Sequence, residues 1–215
     1  MGNGFVEEPI YAELARLGKA LASPVRLRLL DVLDSGELTV EELATACGLP
    51  VKNTSAQLQQ LRAVHLVESR RDGTRIHYRV ASQTVSAFLG RLHDFAQDTQ
   101  AELRERITAH LGTGDQLEPV TVAGLAELMA GNQVTVLDVR SEAAYARGHI
   151  PGAISLPLHE LAHRMDELRG HDLIVAYCQG PYCVSSPDAV RLMTEAGHRA
   201  RSLNGGWTAW VRATA

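Results

Sequence analysis

The chain has 215 residues, 45% hydrophobic and 21% charged, with a net charge of −4. That composition belongs to a globular protein with room for one large or two small domains, and it excludes disordered and fibrous classes. No apolar run approaches the roughly 20 residues of a membrane helix. Three cysteines do not make a disulfide framework. The opening MGNGFVEEPIYAEL lacks the basic start and apolar core of a secretory signal, and Val6 stands where N-myristoylation expects Ser or Thr. A cytoplasmic protein without a membrane partner is therefore expected.

In chain order, Ile10, Leu14, Leu17 and Leu21 recur at helical spacing. Ser23-Pro24 then stops the chain and restarts it as a helix carrying Val25, Leu27, Leu29, Leu30 and Leu33. Thr39-Val40-Glu41-Glu42 fits a capping box and opens a short helix. The turn Cys47-Gly48-Leu49-Pro50 leads into another helix, with Val51, Thr54, Leu58 and Leu61 on one face. Residues 66–69 and 75–80 read as strands around the turn Arg71-Asp72-Gly73-Thr74. A long helix over 83–110 follows, then a linker at 113–118 within a small, polar stretch bounded by Gly112 and Pro119.

Two short helices joined by a tight turn, then a basic hairpin, form a winged helix-turn-helix. Lys52, Arg62, Arg70, Arg71, Arg75 and Arg79 lie between 52 and 79 against only Glu68 and Asp72. Local charge of this kind, not the global balance, marks an electrostatic footprint. Off the apolar face of the second helix lie Lys52, Asn53, Ser55, Ala56, Gln59 and Gln60. Lys52, Asn53, Ser55 and Gln59 suit base edges or phosphates, and Arg71 and Arg75 extend the hairpin toward the backbone or minor groove. The competing reading is a solvated polar surface.

ALASPVRLRLLDVL and LQQLRAVHLVESRRDGTRIHYRV resemble the ArsR family of bacterial repressors, over roughly residues 10–110. The resemblance implies a homodimer built from the first and last helices, with two recognition helices in successive major grooves of a double-stranded DNA operator. Ala56 replaces a polar residue common in the family. Family metal sites use two cysteines at the helix that begins near Thr39, or Asp and His pairs along the last helix. Here residues 37–42 hold no thiol, and His93-Asp94 with a distant His110 make no paired set. Neither a metal nor another cofactor is expected.

Beyond the linker, strands at 134–139 and 173–177 alternate with helices at 125–129, 161–168 and 189–196. Alternation predicts a parallel sheet covered on both faces, with ligands at strand C-termini. The expected fold class is thus two domains: an α+β winged helix over 1–112 and an α/β domain over 119–215. Leu173-Ile174-Val175-Ala176-Tyr177 delivers Cys178 to such a strand end. Ser186-Pro187-Asp188 reads as a helix start, with a capping side chain, a first-position proline and a first-turn acid. Unpaired N–H groups and the positive helix end are then expected to hold Cys178 as thiolate.

LDVR at 137–140, GHIPGAISLP at 148–157, Tyr177-Cys178 and NGGWTAW at 204–210 resemble a rhodanese domain across this entire half. The resemblance implies that Cys178 is the nucleophile, taking sulfane sulfur from a small donor as a persulfide and passing it to a thiol acceptor. Asp138 and Arg140 are implied as structural supports of the site. Active members often hold Arg five positions after the nucleophile, where a cation binds thiosulfate or phosphate; Cys183 stands there, and Ala144 replaces the usual acid before Tyr145. An anionic donor therefore loses charge-assisted bonds of about 1.5–3 kcal/mol each. Cys183 either attacks a persulfide or oxidised sulfur on Cys178 or fills space beside the helix, and the sequence leaves both open. Three functions fit: a repressor that senses sulfane sulfur or oxidants through Cys178, a sulfurtransferase that its winged domain dimerises or localises, and a repressor with an inert rhodanese scaffold.

Overall fold

A computed structural model describes residues 5–111, 119–170 and 172–214, so the expected linker at 113–118 lies outside the described residues. Two compact units emerge, Met1–Leu89 and Gly90–Ala215.

The first unit runs α1 (Glu8–Leu21), α2 (Pro24–Leu33), β1 (Leu38–Thr39), α3 (Val40–Cys47), α4 (Val51–Arg62), β2 (Val67–Asp72), β3 (Arg75–Val80) and the start of α5 (Gln83–Thr99). Ser23 caps α2 ahead of Pro24, whose missing amide has no helical acceptor at that position anyway. The capping box of α3 is closed in both directions: the Glu42 amide donates to Thr39 Oγ1 at 3.2 Å, and the Thr39 amide donates to Glu42 Oε2 at 2.8 Å. Gly48 ends α3 in the left-handed conformation, φ 65°. The strands β2 and β3 pair antiparallel from Val67–Val80 to Asp72–Arg75, and β1 adds to the other edge of β3 through Leu38 and Tyr78. Helices and hairpin close over fully buried Leu29, Leu30, Leu43, Leu58, Leu61 and Leu89. Each such side chain stabilises the unit by about 1.5–3 kcal/mol relative to exposure. This is a winged helix.

The second unit holds the rest of α5, then α6 (Ala101–Leu111), α7 (Val122–Ala130), β4 (Thr135–Asp138), α8 (Glu142–Arg147), β5 (Ile154–Ser155), α9 (Leu158–Leu161), β6 (Ile174–Tyr177), α10 (Ser185–Glu195), β7 (Ala200–Ser202) and α11 (Gly206–Thr214). Its four-stranded sheet has the order β5-β4-β6-β7, and every pairing is parallel. Side chains of β6 alternate between two cores. Val175 and Tyr177 join Leu125, Ile150 and Leu203. Ile174, Ala176 and Cys178 join Leu161, Ala189 and Met193 of α9 and α10. The period of two therefore sends Cys178 under α10. No helix among the described residues is long and apolar enough to cross a membrane.

Two expected helices are divided. The stretch 83–110 is α5 and α6, parted at Gln100. There Arg104 Nη1 donates to the carbonyls of Gln97 and Asp98, which in a continuous helix serve the amides of residues 101 and 102. Thr99 Oγ1 also back-bonds to Phe95 O at 2.7 Å, a contact that bends helices. The stretch 161–168 shrinks to the end of α9 and a 3-10 turn at Met165–Leu168. Arg164 sits between them, bonded to Glu160 at 2.7 Å and Glu167 at 2.6 Å.

Candidate functional site

All four residues of β6 are buried, and Cys178, the next residue, is 1% exposed. Its Sγ lies 3.3 Å from the carbonyl oxygen of Cys183, 4.0 Å from that of Gly180 and 3.3 Å from Ser186 Oγ. Cys183 is half-buried at the far end of the loop, and its carbonyl oxygen accepts from the Cys178 thiol. The structure thus brings both cysteines together. The bond from Cys178, helped by the hydroxyl and amide of Ser185 and the amide of Gln179, lowers the Cys183 thiol to about 5 against opposing burial. The Cys178 thiol moves the other way, because it is the donor to Cys183 and because it is buried. The Ser186 hydroxyl and amide offset this only in part.

Burial and the contact with Cys183 thus work against the thiolate expected at Cys178, while the Ser186 hydroxyl and amide work for it. The physical reason lies in where the helix begins. Ser186 does not cap α10, which starts at Ser185 with Val184 at its N-cap position and no capping side chain. Ser186 sits inside the first turn, 4% exposed, with its hydroxyl against the Cys178 sulfur. Pro187 is tolerated because first-turn amides have no helical partner.

Asp138 and Arg140 form the floor beside this loop. Arg140 Nη2 reaches Asp138 Oδ2 at 2.6 Å and Arg140 Nε reaches Oδ1 at 3.0 Å, with both side chains almost wholly buried. The same guanidinium bonds Gly148 O at 2.7 Å and Gln179 Oε1 at 3.4 Å, and lies over the rings of Tyr177 and Trp207. Arg140 is therefore committed to holding the residue after Cys178, not to binding an anion. From the other side, the Trp207 amide donates to Cys178 O at 2.9 Å, and Thr208 Oγ1 donates to Gln179 O at 2.7 Å. This approach needs Gly206, at φ 57°, since a Cβ there stands 2.5 Å from Cys178 O. Sequence reasoning missed Gln179, Ser186, Gly206 and Thr208 as site residues; the NGGWT segment carried the signal for the last two.

Within the same unit the loop also touches α5 and α6. The Tyr182 carbonyl lies 3.0 Å from His110 Nε2, and the Tyr182 ring lies 5.5 Å from that of His93, centroid to centroid.

The expected DNA-binding residues lie in the first unit. Lys52 and Asn53 are exposed at the start of α4, and Ser55 is half-buried. Asn53 Oδ1 accepts from Gln57 Nε2 at 3.3 Å, and Gln59 Nε2 donates to the buried Tyr78 hydroxyl at 3.0 Å. Arg71 and Arg75 are exposed around the hairpin turn, Arg71 donating to the Gly73 carbonyl at 2.9 Å. Arg70 instead pairs with Glu37 at 2.9 Å, and Arg79 pairs with Glu68. Sequence reasoning passed over Arg26. Its guanidinium reaches the carbonyls of Lys19 and Ala20 at the end of α1 and the side-chain oxygens of Gln57 and Gln60, at 3.0 and 2.8 Å, on α4.

Residues 21–70 match a helix-turn-helix domain family, and residues 121–213 match the rhodanese-like domain family. The chain is 42% identical over 198 residues to the HTH-type transcriptional regulator Rv0324 of Mycobacterium tuberculosis, covering 92% of this chain and 87% of the relative. It is 33% identical over 95 residues to the thiosulfate sulfurtransferase GlpE of Pseudoalteromonas translucida, covering 44% of this chain and 89% of that protein. The homodimeric winged helix-turn-helix DNA-binding domain of Mb0332 from Mycobacterium bovis is 38% identical, with a TM-score of 0.43, over 47% of this chain and 94% of that one.

Proposed function

The chain belongs to the HTH-type transcriptional regulators and joins a helix-turn-helix domain to a rhodanese-like domain; from that premise we propose that it is a cytoplasmic, homodimeric repressor that leaves its operator when the Cys178–Cys183 pair takes up sulfane sulfur or is oxidised. One observation carries this reading: the paired thiols share a loop with Tyr182, whose ring and carbonyl contact His93 of α5 and His110 of α6. A sulfur added at Cys178, or a bond drawn between the cysteines, changes the volume and charge that set the path of residues 178–183. Tyr182 passes that change to α5 and α6, which follow the winged domain in the chain. In this reading Lys52, Asn53, Ser55 and Gln59 face the operator, Arg71 and Arg75 flank it, and a second copy covers the apolar face of α1. A coupling of about 1–3 kcal/mol suffices for a switch.

Gel-shift titration of the reduced and polysulfide-treated protein is the direct test. The expected result is a fall in operator affinity of about 5- to 150-fold, and equal affinities defeat the proposal and leave an inert scaffold. The similarity to GlpE favours a second reading, in which the loop turns over as a sulfurtransferase. That reading requires many turnovers per protein with a small sulfur donor, all lost in Cys178→Ser. The commitment of Arg140 to Asp138 and Gln179 speaks against thiosulfate as the donor.

A further inference from the structure

Two glutamines of α4 are held from behind by one cation. Arg26 Nε donates to the Ala20 carbonyl and Arg26 Nη2 to that of Lys19 at 2.8 Å, which pins the guanidinium to the end of α1. Its Nη1 then donates to Gln57 Oε1 at 3.0 Å and to Gln60 Oε1 at 2.8 Å. A guanidinium has only donors and keeps its proton, so the amide atom that Gln57 turns toward it must be the oxygen. The Gln57 nitrogen therefore points elsewhere, and it lies 3.3 Å from Asn53 Oδ1, one helical turn back. That nitrogen, too, can only donate, which fixes the Asn53 amide in its turn. Oδ1 faces Gln57, and Nδ2 is left outward on an exposed residue in the first turn of α4. The oxygen and nitrogen of an amide have the same shape, so a chain of bonds that starts at a cation decides which is which.

We infer that Arg26 and Gln57 are positioning residues that make Asn53 a hydrogen-bond donor toward DNA, so that it selects guanine or thymine and rejects adenine and cytosine at one position of each half-site. The inference rests on the operator-binding reading above and adds base choice to it. In the major groove guanine offers O6 and N7 and thymine offers O4, all acceptors. Cytosine N4 carries hydrogens that meet those of Asn53 Nδ2, and adenine sets its N6 hydrogens beside its N7 acceptor. The two-bond pairing of asparagine with adenine needs Oδ1 at the groove, and here that oxygen faces Gln57.

The test selects binding sites for the full-length protein from randomised double-stranded DNA. Wild type is expected to enrich guanine or thymine at least about fivefold over adenine and cytosine at one position of each half-site, and Asn53→Ala to lose the preference there alone. Gln57→Glu is the decisive variant. Its carboxylate has only acceptors, so it keeps Arg26 and draws Asn53 Nδ2 inward, which turns Oδ1 to the groove. The preference is then expected to reverse to adenine or cytosine at that position, whereas a merely structural part for Gln57 weakens binding evenly across sequences. A wild-type preference for adenine or cytosine at the Asn53-dependent position overturns the inference, as does Asn53→Ala with the wild-type profile throughout. An unchanged preference in folded Gln57→Glu overturns it as well, and the first two profiles decide the matter where that variant does not fold. Enrichment of no sequence by wild type overturns the operator-binding reading itself, which separates the two failures.

Discussion

Cys183 gives the molecule a pH dependence whose sign is set by its neighbours. Folding lowers this thiol from 9.0 to about 5, so the folded state releases its proton more readily than the unfolded chain does. Its contribution to stability is then complete above about 9, shrinks as pH falls, and vanishes near 5. Cys178 is raised, so its contribution holds below 9.0 and is lost only at more alkaline pH. Of the two thiols, Cys183 is thus the one that contributes a slope between pH 5 and 8. The reduced wild type is expected to gain in melting temperature over Cys183→Ser as pH rises through that window, measured by calorimetry with reductant present. A difference that stays flat removes the assigned thiolate. The position of Cys178 was legible from the strand before it and the glycine-rich segment of α11. The contact between the two cysteines was not, because it depends on how residues 178–183 fold back on themselves and on a helix cap at Val184, two residues before the Ser186 expected there.

Elements with their own local signals were readable before any coordinates. Ser23-Pro24, the Thr39–Glu42 box and Gly48 each fix a boundary through bonds between near neighbours, and all three do so here. The break at Gln100 had no such signal, since it comes from the guanidinium of Arg104, four residues onward, taking carbonyls of the preceding turn. Arg26 was missed for a similar reason: its partners on α4 lie thirty-one and thirty-four positions away. On the hairpin, the fold sorts arginines that look alike in sequence. Arg70 already answers Glu37 and Asp72, whereas Arg71 donates to the neutral Gly73 carbonyl and Arg75 is exposed. If Arg71 and Arg75 hold phosphates, removing both lowers the magnitude of the salt slope of operator binding by about two, roughly one per lost contact. Arg71→Ala/Arg75→Ala is thus expected to weaken binding across all sequences, while Arg70→Ala changes the slope much less. Fluorescence anisotropy across a salt series reads both, and an unchanged slope in the double variant places the hairpin away from the backbone.

For the whole molecule the open question is what α1 faces. Its inner side packs Leu17, Ala20 and Leu21 on the winged-helix core, but Ile10, Tyr11 and Leu14 are 65%, 58% and 59% exposed, with Phe5 close by against Tyr11. An apolar stripe at i and i+4 on a helix that is already anchored gains by burial against a copy of itself, and a two-fold pair presents two α4 helices to two half-sites. Linking two modest contacts raises affinity steeply, so losing the dimer costs far more in operator binding than in fold. Leu14→Glu places a charge in that stripe without touching the core, the hairpin or the dithiol. The expected outcome is a folded monomer by sedimentation, with operator affinity reduced at least about tenfold. A Leu14→Glu protein that remains dimeric, or a monomer that binds the operator as wild type does, assigns α1 another partner and removes the second copy from the mechanism.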